Sequence, residues 1–189
     1  QGFFNMGINQ IHEDRFGNIW FCSRDGVDKF DGKYITHYST KEGLVNGLVF
    51  CMLEDKKGNF WFGTEKGLSK FDGKRFTNYL VDQGLNEGAI YYLLEDHSGK
   101  LWIGTNTGGV CTFDGVSFTH FDVANSLSHP MVLGMIEDKN NDIWFCTGKG
   151  VNRYDGKYFT WYTTEQGLSN NIAKNVVEDL AGNIWVGTI

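Results

Sequence analysis

Residues 58–79 read GNFWFGTEKGLSKFDGKRFTNY, and nearly the same phrase stands at residues 16–38 as FGNIWFCSRDGVDKFDGKYITHY. It returns near residue 100 and again near residue 142. Trp20, Trp61, Trp102, Trp144 and Trp185 mark the recurrence, spaced by 41, 41, 42 and 41 residues. Pairs such as Glu13-Asp14 and Glu54-Asp55, and turns such as Asp31-Gly32 and Asp72-Gly73, keep the same spacing. The chain is a tandem repeat, and a period near 41 residues has to be read before any local feature.

Each copy predicts four short strands. In the second copy, residues 48–54 form an apolar run suited to a strand covered on both faces. Asp55 to Asn59 turn the chain into FWFGT, rich in β-formers, and Glu65-Lys66-Gly67 turn it again into LSKFD. Asp72-Gly73 predicts a two-residue hairpin with φ > 0 at both positions, leading into RFTNYL. Four antiparallel strands make a small sheet that cannot bury both faces alone. Stacking copies about an axis solves this, so the expected class is an all-β β-propeller of four-stranded blades. The single proline and 25 glycines fit dense hairpins. Blades are expected at about 6–40, 46–80, 88–122 and 130–164, with the first two strands of a fifth at 171–189. The recurring Trp is read as the wedge between neighbouring blades.

The pattern ED..GN.WFGT..GL..FDG..FT.Y, followed by a loop containing Gly-Leu, resembles the two-component regulator propeller repeat of the periplasmic sensor region of bacterial hybrid histidine kinases. The likeness covers essentially the whole chain. The Asp-x-x-Gly-Asn turn also resembles Asp-box hairpins, which are structural devices. The resemblance implies an extracytoplasmic, periplasmic ligand-sensing domain, commonly for glycan fragments, coupled through the membrane to kinase output. It also implies rings of about seven blades, for which about 290 residues are needed. A fragment of a larger sensor, a five-bladed ring and a ring completed by another chain all remain open, and self-association is expected of an open arc.

Composition narrows the rest. With 189 residues, 41% hydrophobic and 21% charged, the chain has the make-up of a soluble globular protein. The net charge of −6 argues against nucleic acid and against an anionic membrane surface. No apolar run approaches the roughly 18 residues of a membrane helix. Cys22, Cys51, Cys111 and Cys146 fall at unlike repeat positions without a CxxC, and read as four free thiols rather than a metal site or bridges. No cofactor and no metal are expected.

Positions that recur serve the blade, and positions that differ are free to serve a ligand. The loop between strands two and three opens on the same face as the loop joining blades. The first loop type carries Ser23-Arg24-Asp25, Glu65-Lys66, Asn106-Thr107-Gly108 and Gly148-Lys149. The second carries Lys41-Glu42, Asp82-Gln83, His129-Pro130 and Glu165-Gln166. Asn9, Phe50, Tyr91, Leu133 and Lys174 open the inner strands. From these, Arg24, Asp25, Glu65, Lys66, Tyr91, Asn106, Thr107, His129, Lys149 and Lys174 are the candidate ligand-binding residues, a set suited to hydrogen-bonding and stacking on a small polar ligand such as an oligosaccharide. The third blade departs most, with one residue inserted in Asn106–Gly109 and Ser126 in place of the loop Gly.

Catalysis finds little support, because the five histidines are scattered and form neither HxH nor HExxH. The first reading is a non-enzymatic sensing segment. The alternatives are a protein-interaction or dimerisation scaffold using blade edges and Trp161, and a lyase of the kind seen in streptogramin-lyase-like propellers, for which only His129 is near the expected place.

Overall fold

The computed structural model describes residues 7–124 and 127–189. The expectations placed on the leading residues 1–6 and on Ser126 lie outside the described residues. The chain divides into two compact units, Gln1–Leu85 and Asn86–Ile189.

The first unit holds two four-stranded antiparallel sheets. Sheet 1 runs in order β1 (Gln10–Glu13), β2 (Ile19–Cys22), β3 (Val27–Phe30), β4 (Ile35–Tyr38), and sheet 2 runs β5 (Val49–Glu54), β6 (Phe60–Thr64), β7 (Leu68–Phe71), β8 (Phe76–Tyr79). In the second unit, sheet 3 holds β9 (Ile90–Glu95), β10 (Leu101–Thr105), β11 (Val110–Phe113) and β12 (Phe118–Phe121). Sheet 4 holds β13 (Val132–Glu137), β14 (Ile143–Thr147), β15 (Gly150–Tyr154) and β16 (Phe159–Tyr162). A two-stranded sheet follows, β17 (Ala173–Glu178) and β18 (Ile184–Thr188). Each strand pairs with its neighbour in sequence, the up-and-down order of a propeller blade. Among the described residues no helix is long and apolar enough to cross a membrane.

The Asp-Gly turns differ from the two-residue expectation. Gly32 lies at φ 91° and Gly73 at φ 90°, but among the described residues the one non-glycine with positive φ is Asn141, so the aspartates are not left-handed. The turn starts one residue later than expected. Asp31 Oδ1 accepts the backbone N–H groups of Lys33 at 2.8 Å and Tyr34 at 2.7 Å, and Asp72 does the same for Lys74 and Arg75 at 2.9 Å each. The carboxylate thus closes the loop through its side chain, and the glycine that follows supplies the one positive φ.

Packing between sheets is aromatic. In the first unit the Trp20 indole stacks on Tyr38 of its own sheet at 5.8 Å and reaches Phe60 of sheet 2 at 4.5 Å between ring centres. Trp20 joins Val27, Val49, Met52, Phe62 and Phe71 in one buried cluster. In the second unit Trp102 stacks on Phe121 at 5.6 Å and meets Phe145 of sheet 4, also at 5.6 Å. The wedges are unequal in depth: Trp20 and Trp102 are 1% and 3% exposed, whereas Trp185 is 61% exposed. Trp20 and Trp102 stand in four-stranded sheets where Tyr38 and Phe121 stack on them, and Trp185 stands in the two-stranded sheet β17–β18.

All four cysteines are free and buried. Burial pushes the Cys51 and Cys146 thiols up to about 12 and the Cys111 thiol up to about 11. They behave as small core residues rather than nucleophiles.

Candidate functional site

The frame that carries the loops is built from the recurring acids. In each repeat the Asp of the Glu-Asp pair holds the turn before the Trp strand and then the indole itself. Asp14 Oδ1 accepts from the backbone of Phe16 and Asn18, and Asp14 Oδ2 accepts the Trp20 indole N–H at 2.8 Å. The same bond joins Asp55 to Trp61 at 2.9 Å, and Asp96 to Trp102, Asp138 to Trp144 and Asp179 to Trp185 at 2.8 Å. Burial works to raise the Asp14 carboxyl, but hydrogen bonds from Trp20 and Asn18 and the backbone outweigh it and hold the group below the usual carboxylate range. Asp55 and Asp96 are lowered against the same burial, Asp55 by Trp61 and Asn59 and Asp96 by Ser98 and Trp102.

In three of the pairs the Glu, at Glu54, Glu137 and Glu178, reaches the other way, to the preceding repeat. Glu54 accepts the backbone N–H of Arg15 at 3.0 Å and pairs with its guanidinium. Glu137 accepts from the His97 backbone at 2.7 Å, and Glu178 from the Lys139 backbone at 2.8 Å. One carboxylate locks the turn within a repeat and its neighbour ties adjacent repeats together.

On the opposite ends of the strands lie the loops. In the first unit the linker between sheets is laced between two strand-two to strand-three loops: Val49 N–H donates to Ser23 C=O at 2.9 Å, and Glu65 N–H to Leu48 C=O at 3.0 Å. Gly47 sits against the backbone of Arg24 and Asp25. Arg24, Asp25, Glu65 and Lys66 are all exposed on these loops. In the second unit the Asn106–Gly109 loop is fastened to the segment 86–89. Asn106 exchanges bonds with Ala89, N–H to C=O at 3.0 Å and Oδ1 from the Ala89 N–H at 2.8 Å, and Asn86 Nδ2 donates to Gly108 C=O at 2.5 Å. A Cβ on Gly88 would lie 2.3 Å from Thr107 Oγ1, so the interlock needs glycine there.

The innermost strands add a feature that was not foreseen. Each after β1 has a bulge at its start, at Val49/Cys51, at Ile90/Tyr92 opposite Gly104/Thr105, at Val132/Gly134 and at Ala173/Asn175. The extra residue is Phe50, Tyr91, Leu133 or Lys174, the same positions singled out by their variation. A bulge re-aims its side chain away from the ladder, so a recurring backbone device presents a different side chain in each repeat.

The ten candidates therefore fall into groups. Arg24 and Asp25 share one loop, Glu65 and Lys66 share the next, and the two loops flank one linker. Asn106 and Thr107 sit on the fastened loop of sheet 3. Asn106 spends its amide oxygen on Ala89, which gives it a structural duty. His129 Nδ1 accepts the Met131 backbone N–H at 3.1 Å and its ring lies against Gly148, next to exposed Lys149. Tyr91 and Lys174 occupy bulges on β9 and β17. Among the linker acids and amides, Glu42 is used by Ser39, Gln83 by the Leu80 backbone and Gln166 by Thr163, so these three close their own turns.

Sequence reasoning missed the concave part of this face in the second unit. A pocket of about 460 Å³ is lined by Asn86, Glu87, Thr107, Gly108, Asp122 and Pro130, among others. Its signal was the inserted residue in Asn106–Gly109. A second cavity, of about 270 Å³, lies among Trp144, Tyr162, Leu168, Ile184 and Val186 and is mostly apolar. Among the described residues no group of three or more His, Cys, Asp or Glu is placed to hold a metal ion.

The family model described as two component regulator propeller matches residues 43–66 and 84–107. No curated protein matches the chain by sequence. Among solved structures, the extracellular domain assigned to the hybrid two component system BT3049 of B. thetaiotaomicron is similar at TM-score 0.85 and 22% identity, covering 97% of this chain and 27% of that one. PorZ, a surface component of the type-IX secretion system of Porphyromonas gingivalis, matches at TM-score 0.76 and 18% identity, over 96% of this chain and 31% of that one. Virginiamycin B lyase of Staphylococcus aureus matches at TM-score 0.79 and 16% identity, over 99% and 65%. The chain thus spans about a quarter to a third of the length of the first two. At these identities the likenesses carry the fold alone: the chain has a β-propeller fold, and residues 43–66 and 84–107 are similar to the two component regulator propeller family.

Proposed function

We propose that the chain is a non-catalytic ligand-sensing segment of the extracytoplasmic region of a bacterial two-component sensor, which takes a small polar ligand such as an oligosaccharide on its loop face. The observation that carries this reading is the bulge that opens each innermost strand after the first. The backbone irregularity recurs, yet the residue it presents is Phe50, Tyr91, Leu133 or Lys174. A frame that repeats its backbone and varies its projecting side chains is suited to recognition by many contacts. The repeat match and the likeness to an extracellular sensor domain support the same assignment.

Two observations weigh against turnover. His129 spends Nδ1 on the Met131 backbone, and the buried thiols are held protonated by their surroundings. The test is a library of neutral, basic and acidic oligosaccharides and other small polar metabolites, screened by thermal shift and followed by calorimetry and product analysis. The reading expects saturable binding of at least one class with the ligand recovered intact. Turnover of the bound ligand, or no binding in the whole library, would contradict it.

A further inference from the structure

Within each unit, the joint between neighbouring sheets brings together two unlike faces. Trp20 of sheet 1 meets Met52 and Phe62 of sheet 2 in one buried cluster, and Trp102 of sheet 3 meets Met135 and Phe145 of sheet 4. From sheet 4 to β17–β18 the same joint sets Ile136 and Trp144 against Val176 and Val186. The receiving residues are cross-strand pairs: Met52 with Phe62, Met135 with Phe145, Val176 with Val186. A clasp accompanies each joint, in which the backbone N–H after the turn Asp, from Arg15, His97 or Lys139, donates to a Glu of the next sheet.

Each half of this joint is present once more. On β17–β18 the pair Val177 and Trp185 stands in the register of Ile136 and Trp144, and Val177 is 56% exposed. On sheet 1 the pair Ile11 and Phe21 stands in the register of Met52 and Phe62, and Ile11 is 61% exposed. Glu13, the counterpart of Glu54, is exposed as well. Leu180 holds the place of Arg15, His97 and Lys139 after the turn Asp, and its side chain is fully in solvent.

We infer that the chain assembles head to tail, the Val177–Trp185 face of one copy seated on the Ile11–Phe21 face of a second copy. A second copy is the occupant because the two exposed faces are the two halves of one joint, which the chain already builds three times. Apolar side chains then meet apolar side chains, and Glu13 faces the Leu180 amide as Glu178 faces that of Lys139. Joining them takes Ile11, Val177 and Trp185 out of water together. Pairing β18 edge to edge with its copy would leave both faces wet. Such a joint is heterologous, so a copy that receives on one face still offers the other. The assembly stands on the sheet faces, whether or not the loops take a ligand.

Sedimentation velocity over a range of protein concentrations tests it, with Ile11→Asp and Val177→Asp each spoiling one face at an exposed position. The average mass of the parent should rise with concentration. Each variant alone should associate at least about tenfold more weakly, since the joint would bury a carboxylate without a partner. Mixed in equal amounts, the two should form a dimer and nothing larger, because the intact Trp185 face of the Ile11→Asp copy meets the intact Ile11 face of the Val177→Asp copy. Leu180→Arg should tighten association by about twofold to fivefold, as an exposed ion pair with Glu13 would, and less at high salt. Glu13→Gln should cancel that gain. Circular dichroism checks that each variant keeps its strands; should an Asp variant lose them, Leu180→Arg and its reversal carry the test. A parent that stays monomeric at every concentration would overturn the assignment. So would association indifferent to both Asp variants, as edge pairing of β18 would give, a mixture of folded variants that forms no dimer, or no gain from Leu180→Arg.

Discussion

The carboxylate of Asp14 accepts the indole N–H of Trp20 at 2.8 Å, across six residues of sequence. Asp14 and Trp20 are both buried, so this bond satisfies the one polar atom of the largest side chain in the interface between sheets 1 and 2. Replacing Asp14 with Ala leaves that N–H and the turn amides of Phe16 and Asn18 without their acceptor. The expected loss is about 1–3 kcal/mol for the buried N–H, with the turn amides adding to it. Urea unfolding at neutral pH measures it, and an unchanged midpoint would contradict the assigned role.

The same carboxylates set the response to acid. Asp14, Asp55 and Asp96 have folded pKa values below their unfolded ones. Their contribution is therefore complete above the unfolded carboxylate value of about 4 and is lost as pH falls through the lower folded values. Melting temperatures taken from pH 7 to pH 2.5 should hold nearly level above about pH 5 and fall steeply below about pH 4. Combining Asp14→Asn with Asp55→Asn should flatten the fall; an undiminished acid slope in that double variant would argue that other groups control it.

The wedges should differ in what they contribute. Trp20→Ala removes a ring that is 1% exposed and is expected to cost roughly 3–5 kcal/mol through the cavity it leaves. Trp185→Ala removes a ring that is 61% exposed and should cost far less. Chemical unfolding of the two variants side by side checks the contrast, and equal losses would contradict the packing described.

The thiols offer a quick probe of the core. With Cys51 and Cys146 pushed up to about 12 and Cys111 to about 11, none should react with a disulfide reagent in the folded protein at pH 8. All four should react once denaturant is added. Rapid labelling without denaturant would show that the sheets open.

Strand order and repeat length were legible because Trp, Glu-Asp and Asp-Gly recur in register, and that recurrence is one-dimensional. What was not legible involves atoms that meet only after folding. The Asp-Gly turns were placed one residue early because Asp31 acts through its side chain on Lys33 and Tyr34, which propensity for positive φ does not register. The link from Glu54 back to Arg15 spans 39 residues and has no local signal. For the site, variation pointed to Tyr91 and Lys174 but not to the bulges that present them. The inserted residue pointed to the Asn106 loop but not to the pocket beside it, because a concavity depends on where the segment 86–89 and Pro130 come to rest.

The account's central claim is that recurring residues hold the frame while the varying loop residues meet the ligand. Its most direct test is one variant with Arg24, Lys66, Thr107 and Lys149 all changed to Ala, measured for unfolding and for binding of whichever library ligand the parent takes. Exposed positions should cost within about 0.5 kcal/mol each, so the account predicts a folded protein of nearly parental stability whose affinity is sharply reduced. A variant that unfolds, or one that binds as the parent does, would contradict it.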